Sequence, residues 1–431
     1  MFNIFEESLK TVDFVRSVRR ELHLHPELTG KEWNTVALIH KELTRMGIYF
    51  ENVPDGGVLA FIEGTKPGRT VLLRGDCDAL PMQESPLNGG GQPKPVVSCV
   101  DGVAHMCGHD VHTACMLGAA EVLNAHKDEI EGRVILMFER GEEGGYRIYY
   151  LMKYIQEHGI HIDAAYGMHT DVNIPVGKFG MTAGAQSAGG VNFELELSGK
   201  GGHGSRPDLG NSPLDCFLAI ANGIKDIRMK YLDPMKPATC NICMVKTGTR
   251  RNIVPSFLEF KGTSRYYDPE IGEKLRYRLQ RLFESCAELY ECELKYVTFQ
   301  GPSFPLRNDA TVTAAGQRAA KAAIGEDCVV NTEPGMGSDS FSTTCAYYPS
   351  LYIRLGCRNE EAGITAGGHN PHHDADEGCL PYGVAVLTAC AINYLKEKPD
   401  TSYFKPFPGN ADEILAFSHR KVPPRFDPVE L

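Results

Sequence analysis

The run His105-Met106-Cys107-Gly108-His109-Asp110-Val111-His112 places one thiol and three imidazoles within eight residues. Soft sulfur and borderline nitrogen donors suit a transition metal, and the Cys-x-His spacing of Cys107 and His109 supplies two donors from one short segment. A lone cysteine is more often a small buried hydrophobe, and a lone histidine a polar cap; this constellation favours ligation by both. His105 and His112 read as groups behind the ligands or on the surface. Asp110 either accepts a hydrogen bond from a ligand's second ring nitrogen or places a charge at a helix N-terminus.

Two further clusters carry matching chemistry. Glu142 and Glu143 force two carboxylates together. Taken alone, Glu-Glu-Gly-Gly is a solvated acidic turn; beside a metal, one carboxylate binds the ion while its neighbour takes a proton from an activated water. His169 follows a strand-like run. The late stretch Gly367-Gly368-His369-Asn370-Pro371-His372-His373-Asp374 offers three imidazoles, and spacing does not choose among them.

These groups need a frame. Apolar residues at helical spacing predict helices over 6–24 and 34–47. Short apolar runs at 58–62, 70–73, 133–138 and 164–168 predict strands, with helices over 110–126 and 146–157. This alternation implies βαβ units and a mostly parallel sheet covered by helices on both faces. The runs at 70–73, 133–138 and 164–168 lead directly into Asp78, Glu142-Glu143 and His169, and open α/β sheets bind ligands at the carboxyl ends of their strands. Period-two alternation over 191–197 marks a half-buried strand. A helix at 212–229, strands at 242–247 and 257–264, a helix at 269–290 and a strand at 293–299 complete the order β-α-β-β-α-β of a ferredoxin-like unit. The predicted organisation is a catalytic domain in two parts (1–184 and 299–396), an inserted domain (185–298) and a Pro-rich tail (397–431) that hugs the surface. The second catalytic part carries a helix at 309–324, a strand at 350–355 and a helix at 381–395.

At 431 residues the chain exceeds one typical core. A net charge of −11 argues against a nucleic-acid footprint. No apolar run approaches the roughly 20 residues that span a bilayer, and the start MFNIFEESLK lacks a secretory signature. Fourteen scattered cysteines in so large a chain point to reduced thiols in a cytoplasm. Cys240-x-x-Cys243 lies in a strand-like segment without a second pair and reads as packing.

At this point the motifs converge. The segments RRELHLHPEL, VLLRGDCDALPMQE, AHMCGHDVHTA, GEEGG, GMHTDVNIPVG, GKGGHGSRP, RNIVPS, GTSR and GHNPHHDADEGCLP occur in that order over about residues 16–395. With them the chain resembles the metal-dependent amidohydrolases of the aminoacylase and carboxypeptidase superfamily. Its nearest branch there holds hippurate hydrolase, auxin-conjugate hydrolases, N-acetyldiaminopimelate deacetylase and aminobenzoyl-glutamate hydrolase.

The resemblance implies a site of two divalent ions, Mn2+ or Zn2+ with Co2+ or Ni2+ as alternatives, ligated by Cys107, His109, Glu143, His169 and His369. His369 is chosen by counting back from Leu380-Pro381; His373 falls where the family often has an aromatic residue. Glu142 takes the general acid/base role and Asp78 supports the metals. The inserted domain becomes a lid that often also makes a dimer. His203 is implied to hold the developing oxyanion, with Asn252 and Arg265 binding the substrate's carbonyl or carboxylate.

The implied activity is hydrolysis of an N-acyl amino acid or dipeptide, with no nucleic-acid or membrane partner. A dipeptidase or carboxypeptidase is the close rival. More distant readings make Cys107 a nucleophile with His109 or His112 as base, or leave a non-catalytic metal-binding scaffold. Two departures from the family pattern stand out. Glu139-Arg140-Gly141 replaces Gln-Pro-Ala before the acidic pair, and Gly337-Ser338-Asp339-Ser340 replaces Gly-Ser-Glu-Asp. Charges at Glu139 or Arg140, and the shortened acid at Asp339, are expected to alter the substrate pocket.

Overall fold

Eight strands form the larger sheet, in the order Tyr49–Val53, Gly57–Glu63, Glu131–Glu139, Lys66–Asp76, Ala164–Pro175, Ser350–Arg358, Phe179–Gly180 and Val329–Val330. The four central strands, from Glu131–Glu139 to Ser350–Arg358, are mutually parallel. Their middles are buried on both faces, which explains why they read as continuous apolar runs and not as alternation. The computed structural model describes residues 2–144, 147–301 and 303–418. Gly145 and the prolines at 423, 424 and 428 lie outside these residues.

Helix Val12–Leu24 buries Val15, Val18 and Leu22, and helix Trp33–Arg45 buries Ile39 and Leu43, at the spacing of one helical face. The helix expected over 6–24 is divided: Ile4–Lys10 ends at Thr11, whose hydroxyl donates to the Ser8 carbonyl at 2.8 Å and competes with continuation. Helices His109–Ala125 and Leu380–Glu397 pack together and are buried almost all round. The segment Glu377–Glu397 corrects one expectation, because it is long and apolar enough to cross a membrane. Since 78% of its apolar stretch is buried within the fold, it is a core helix.

The chain divides into two compact units. Of the described residues, the larger comprises those within 2–186, 307–333 and 339–411; the smaller comprises those within 187–306, 334–338 and 412–418. The smaller unit has a four-stranded antiparallel sheet in the order Ala238–Thr247, Phe257–Tyr266, Gly189–Ser198, Glu293–Gln300. Val191, Phe193, Leu195 and Leu197 point to one face, where Phe217 and Ile220 of helix Pro213–Asp226 and Leu279 and Phe283 of helix Pro269–Leu289 complete the core. Both helices begin with proline behind a side-chain cap, Ser212 and Asp268 respectively. This is the ferredoxin-like arrangement the element order predicts.

Three other points differ from expectation. Strand Ala164–Pro175 runs on past residue 168, so His169 sits within it. A strand at Tyr49–Val53 and a helix at Phe341–Tyr347 were not foreseen. A helix at Ala411–Ser418 interrupts the Pro-rich tail, in the proline-free interval between Pro408 and Pro423.

Candidate metal centre

The carboxyl ends of three adjacent parallel strands converge on one cluster. Gly108 makes the turn between Cys107 and the helix that starts at His109. It adopts φ 91°, and a Cβ there would lie 2.3 Å from the Thr170 hydroxyl, so only glycine fits. Cys107 thereby faces His169, Sγ to Nε2 at 3.4 Å. Glu142 and Glu143 follow strand Glu131–Glu139 through Gly141. His369 arrives from the late loop in a left-handed conformation (φ 58°), with its amide bonded to the Met106 carbonyl at 2.7 Å. A non-glycine residue held there stores strain, which is common where a side chain must be aimed.

Among the described residues, potential donor atoms fall into four groups, each within 4.8 Å: Cys107, His109 and His169; Cys107, Glu143 and His369; His109, Glu142 and Glu143; and Asp76, His109 and His112. In the last group, His112 and Asp76 are already committed to each other, while His109 Nε2 stands 3.7 Å from Asp76. His112 donates from Nδ1 to Asp76 at 2.6 Å and accepts the Thr170 amide at Nε2 at 2.9 Å, which uses both ring nitrogens. His105 enters none of the four groups. It is buried with both nitrogens unpaired among the described residues, and burial pushes its pKa down to about 4. Of the late histidines, His372 and His373 bond the Leu87 and Ala366 carbonyls, and His369 alone reaches the cluster, Nε2 to Glu143 Oε1 at 3.2 Å.

Asp78, fully buried, is the hub beneath these donors. It faces His109 Nδ1 at 3.1 Å and accepts the Thr29 hydroxyl and the amides of Glu142 and Glu143 at 3.1 and 3.0 Å. A carboxylate only accepts, so His109 Nδ1 carries a hydrogen toward Asp78, and Nε2 is the nitrogen left for a cation, which would take the place of its proton. His169 is fixed likewise, Nδ1 donating to the Thr170 carbonyl at 2.7 Å.

The donor set fits divalent cations. His109 Nε2 is buried without a hydrogen-bond partner among the described residues, 3.9 Å from a Glu143 oxygen that only His369 Nε2 approaches, at 3.2 Å; a buried polar atom left so costs free energy unless a ligand such as a cation satisfies it. Burial opposes an imidazolium at His109, yet Asp76, Cys107 and Asp78 outweigh it and hold its pKa well above the usual value. Burial also raises Glu143, but His369 and His109 more than offset this and hold it below the usual carboxylate range. Burial, then Asp339, raises Glu142 well above that range. Burial pushes the Cys107 thiol up to about 12, so by itself it is a poor nucleophile, and a cation is what would make it a thiolate.

Glu139 and Arg140 correct the expectation of stray charges in a pocket. Both are buried and matched: Glu139 by Arg74 at 2.7 Å, Arg140 by Glu32 at 3.0 Å, with the Arg140 guanidinium 4.3 Å from the Trp33 ring centroid. Asp339 accepts the Tyr352 hydroxyl and the Phe341 amide at 2.7 and 2.8 Å. Arg74 and Asp76 are site residues that the motifs gave no role, their signal being Arg74-Gly75-Asp76 ahead of Cys77-Asp78; Ser340 entered only as part of a departure from the family pattern.

In the smaller unit, His203 and Asn252 meet through the short pairing of Gly202–His203 with Ile253–Val254, where the Gly204 amide donates to the Asn252 carbonyl at 2.9 Å. Both are exposed. Arg265 is half-buried and bonds Thr263 Oγ1 and the Ser264 carbonyl at 2.7 and 2.9 Å. Cys240 and Cys243 lie in strand Ala238–Thr247 as free thiols.

Sequence comparison agrees with this architecture. Residues 72–393 match Peptidase family M20/M25/M40, and the chain belongs to that family. It is therefore a hydrolase of the amidohydrolase and metallopeptidase type. Thermostable carboxypeptidase 2 of Saccharolobus solfataricus is 34% identical over 89% of this chain and 95% of its own length. IAA-amino acid hydrolase ILR1-like 2 of Arabidopsis thaliana is 32% identical over 91% and 88%. A crystal structure from Bacillus subtilis, described as a dinuclear metal binding peptidase from M20 family, superimposes with a TM-score of 0.74 at 28% identity, covering 90% of this chain and 99% of that one.

Proposed function

We propose that the chain hydrolyses the amide bond of an N-acyl amino acid with two divalent cations, Mn2+ or Zn2+, held by Cys107, His109, Glu143, His169 and His369. The observation that carries this reading is the sharing of Cys107 between two donor groups, one with His109 and His169, the other with Glu143 and His369. Bound there, the cations would polarise the amide carbonyl and lower the pKa of a water toward about 7.

The chain itself supplies positioning and proton transfer. Asp78 keeps the His109 tautomer and anchors the acidic turn. One Glu142 oxygen accepts the Ser340 amide at 3.0 Å. The other would take a proton from the attacking water and return it to the departing amine. In the smaller unit, which we read as the lid and dimer element (185–298), His203 would donate to the oxyanion. Asn252 and Arg265 would bind the substrate's carbonyl or carboxylate; that Arg265 bonds only Asn192, Thr263 and Ser264 oxygens, and no carboxylate, among the described residues supports this. Fourteen free thiols favour a reducing compartment, the cytoplasm.

Glu142→Gln is expected to keep its metal and lose two to four powers of ten, roughly the share of a general base, in kcat. Near-full turnover would remove Glu142 from the role. The 34% identical carboxypeptidase supports a second reading, cleavage of dipeptides or peptide C-termini. Chelator-stripped protein assayed on N-acetyl, N-benzoyl and dipeptide substrates, with Mn2+, Zn2+ and Co2+ returned separately, distinguishes the two.

A further inference from the structure

The two departures from the family pattern meet in space. Ser340 Oγ donates to Glu139 Oε1 at 2.7 Å, and both sit on the same guanidinium: Arg74 Nε bonds Glu139 Oε2 at 2.7 Å, and Arg74 Nη2 bonds Ser340 Oγ at 2.7 Å. Arg74 and Glu139 are fully buried. From this clamp the Ser340 amide reaches Glu142 Oε1 at 3.0 Å. Arg74 also holds Asp76 at 2.6 Å, while Asp339 lies 3.5 Å away. One buried cation thus already faces three carboxylates.

We propose that Ser340 is a positioning residue for Glu142, and that Glu139 and Ser340 form one compensated arrangement in which the carboxylate facing Arg74 is carried by residue 139 instead of residue 340. The charge count supports this. On the pattern that the sequence resemblance implies, Gln at 139 with Asp at 340, an exchange to this chain's Glu and Ser leaves the number of carboxylates at these two positions unchanged. Changing either position alone removes one or adds one in a site without solvent, where an unmatched charge is costly. The serine hydroxyl is also suited to the join, since it accepts from Arg74 and donates to Glu139 at once. The inference rests on Glu142 being the general base.

The test is a double-substitution cycle with Glu139→Gln, Ser340→Asp and the pair together, read as kcat, KM and bound metal. Each single change is expected to lower kcat about tenfold or more, with KM and metal content held, as for groups that orient a reacting residue. The pair together is expected to return within about threefold of the starting kcat, a non-additivity that only contacting residues show. Ser340→Ala covers the case in which Ser340→Asp fails to fold. It removes the hydroxyl, keeps the amide, and is expected to lower kcat about tenfold at unchanged KM. Additive losses in the cycle, or a Ser340→Ala variant with undiminished kcat, would overturn the proposal. If Glu142→Gln is inactive with its metal intact while the cycle is additive, this inference alone fails; an active Glu142→Gln removes the general base and the positioning role with it.

Discussion

His23 and His109 are both buried histidines ringed by carboxylates, and they differ in what their second nitrogen meets. His23 Nδ1 lies 2.8 Å from Asp110 and Nε2 lies 3.0 Å from Glu84, so both ring nitrogens are satisfied from within. His109 Nδ1 meets Asp78, but Nε2 faces Asp76 and Glu143 at 3.7 and 3.9 Å without a hydrogen bond. Burial and Arg19 disfavour charge on His23, and Asp110 and Glu84 overcome them. The first cluster is complete as folded; the second leaves one ring nitrogen facing two carboxylates without a hydrogen bond. The difference separates a structural histidine from a ligand more sharply than burial does, because both are equally hidden.

Exchanging the two histidines for alanine would break or confirm that contrast. His109→Ala is expected to lose turnover by several powers of ten together with bound metal, while thermal unfolding moves little. His23→Ala is expected to do the reverse. It takes one partner from each of Glu84 and Asp110, which keep Lys94 and Arg19, and costs about 3 kcal/mol of stability, the scale of a broken buried ion pair, yet the protein that remains folded binds metal in the same stoichiometry. Metal analysis beside a denaturation curve separates the outcomes, and a metal-free His23→Ala or fully loaded His109→Ala would dissolve the distinction.

A finer probe is Asp78, which fixes the tautomer that leaves His109 Nε2 open. Asp78→Asn keeps the size but offers one fewer acceptor to the four donors that converge there. We expect metal affinity to fall about 10- to 100-fold, measured by competition with a chelator. Unchanged affinity would mean that the ring orientation is set elsewhere.

How much of this was legible follows from where the information lies. Cys107 and His109 are two residues apart, and Glu142 and Glu143 are adjacent, so any fold that exposes those turns brings the donors together. The strands beneath them are continuous apolar runs and could be read directly. Arg74 and Ser340 are 266 positions apart, and nothing local in either announces the other. The two departures at 139 and 340 read as separate hazards for the pocket because sequence shows substitutions but not contacts. The choice among His369, His372 and His373 needed either the family resemblance or the left-handed turn at His369. Thr11 splits a helix that its apolar spacing would have continued, since a side-chain hydrogen bond competes where hydrophobic pattern is neutral.

The smallest effect tests the satisfied cluster by pH. Burial alone would raise the Glu84 pKa, but His23, Lys94 at 2.8 Å and the Ser98 amide at 2.7 Å bring it down from 4.5 to about 2. A carboxyl depressed in the folded state contributes stability that is full above the unfolded value. It is lost as pH falls through the folded one. Between about pH 4.5 and 2 the unfolded chain therefore carries the extra proton at this site. There the Glu84 contribution should decline by about 1 kcal/mol per pH unit. Glu84→Gln has no such proton to take up. The stability gap between the two proteins is expected to be widest at pH 6–7 and to narrow steadily below about 4.5, read from urea midpoints at each pH. A gap that stayed constant to pH 3 would show that Glu84 is not held charged by His23 and Lys94.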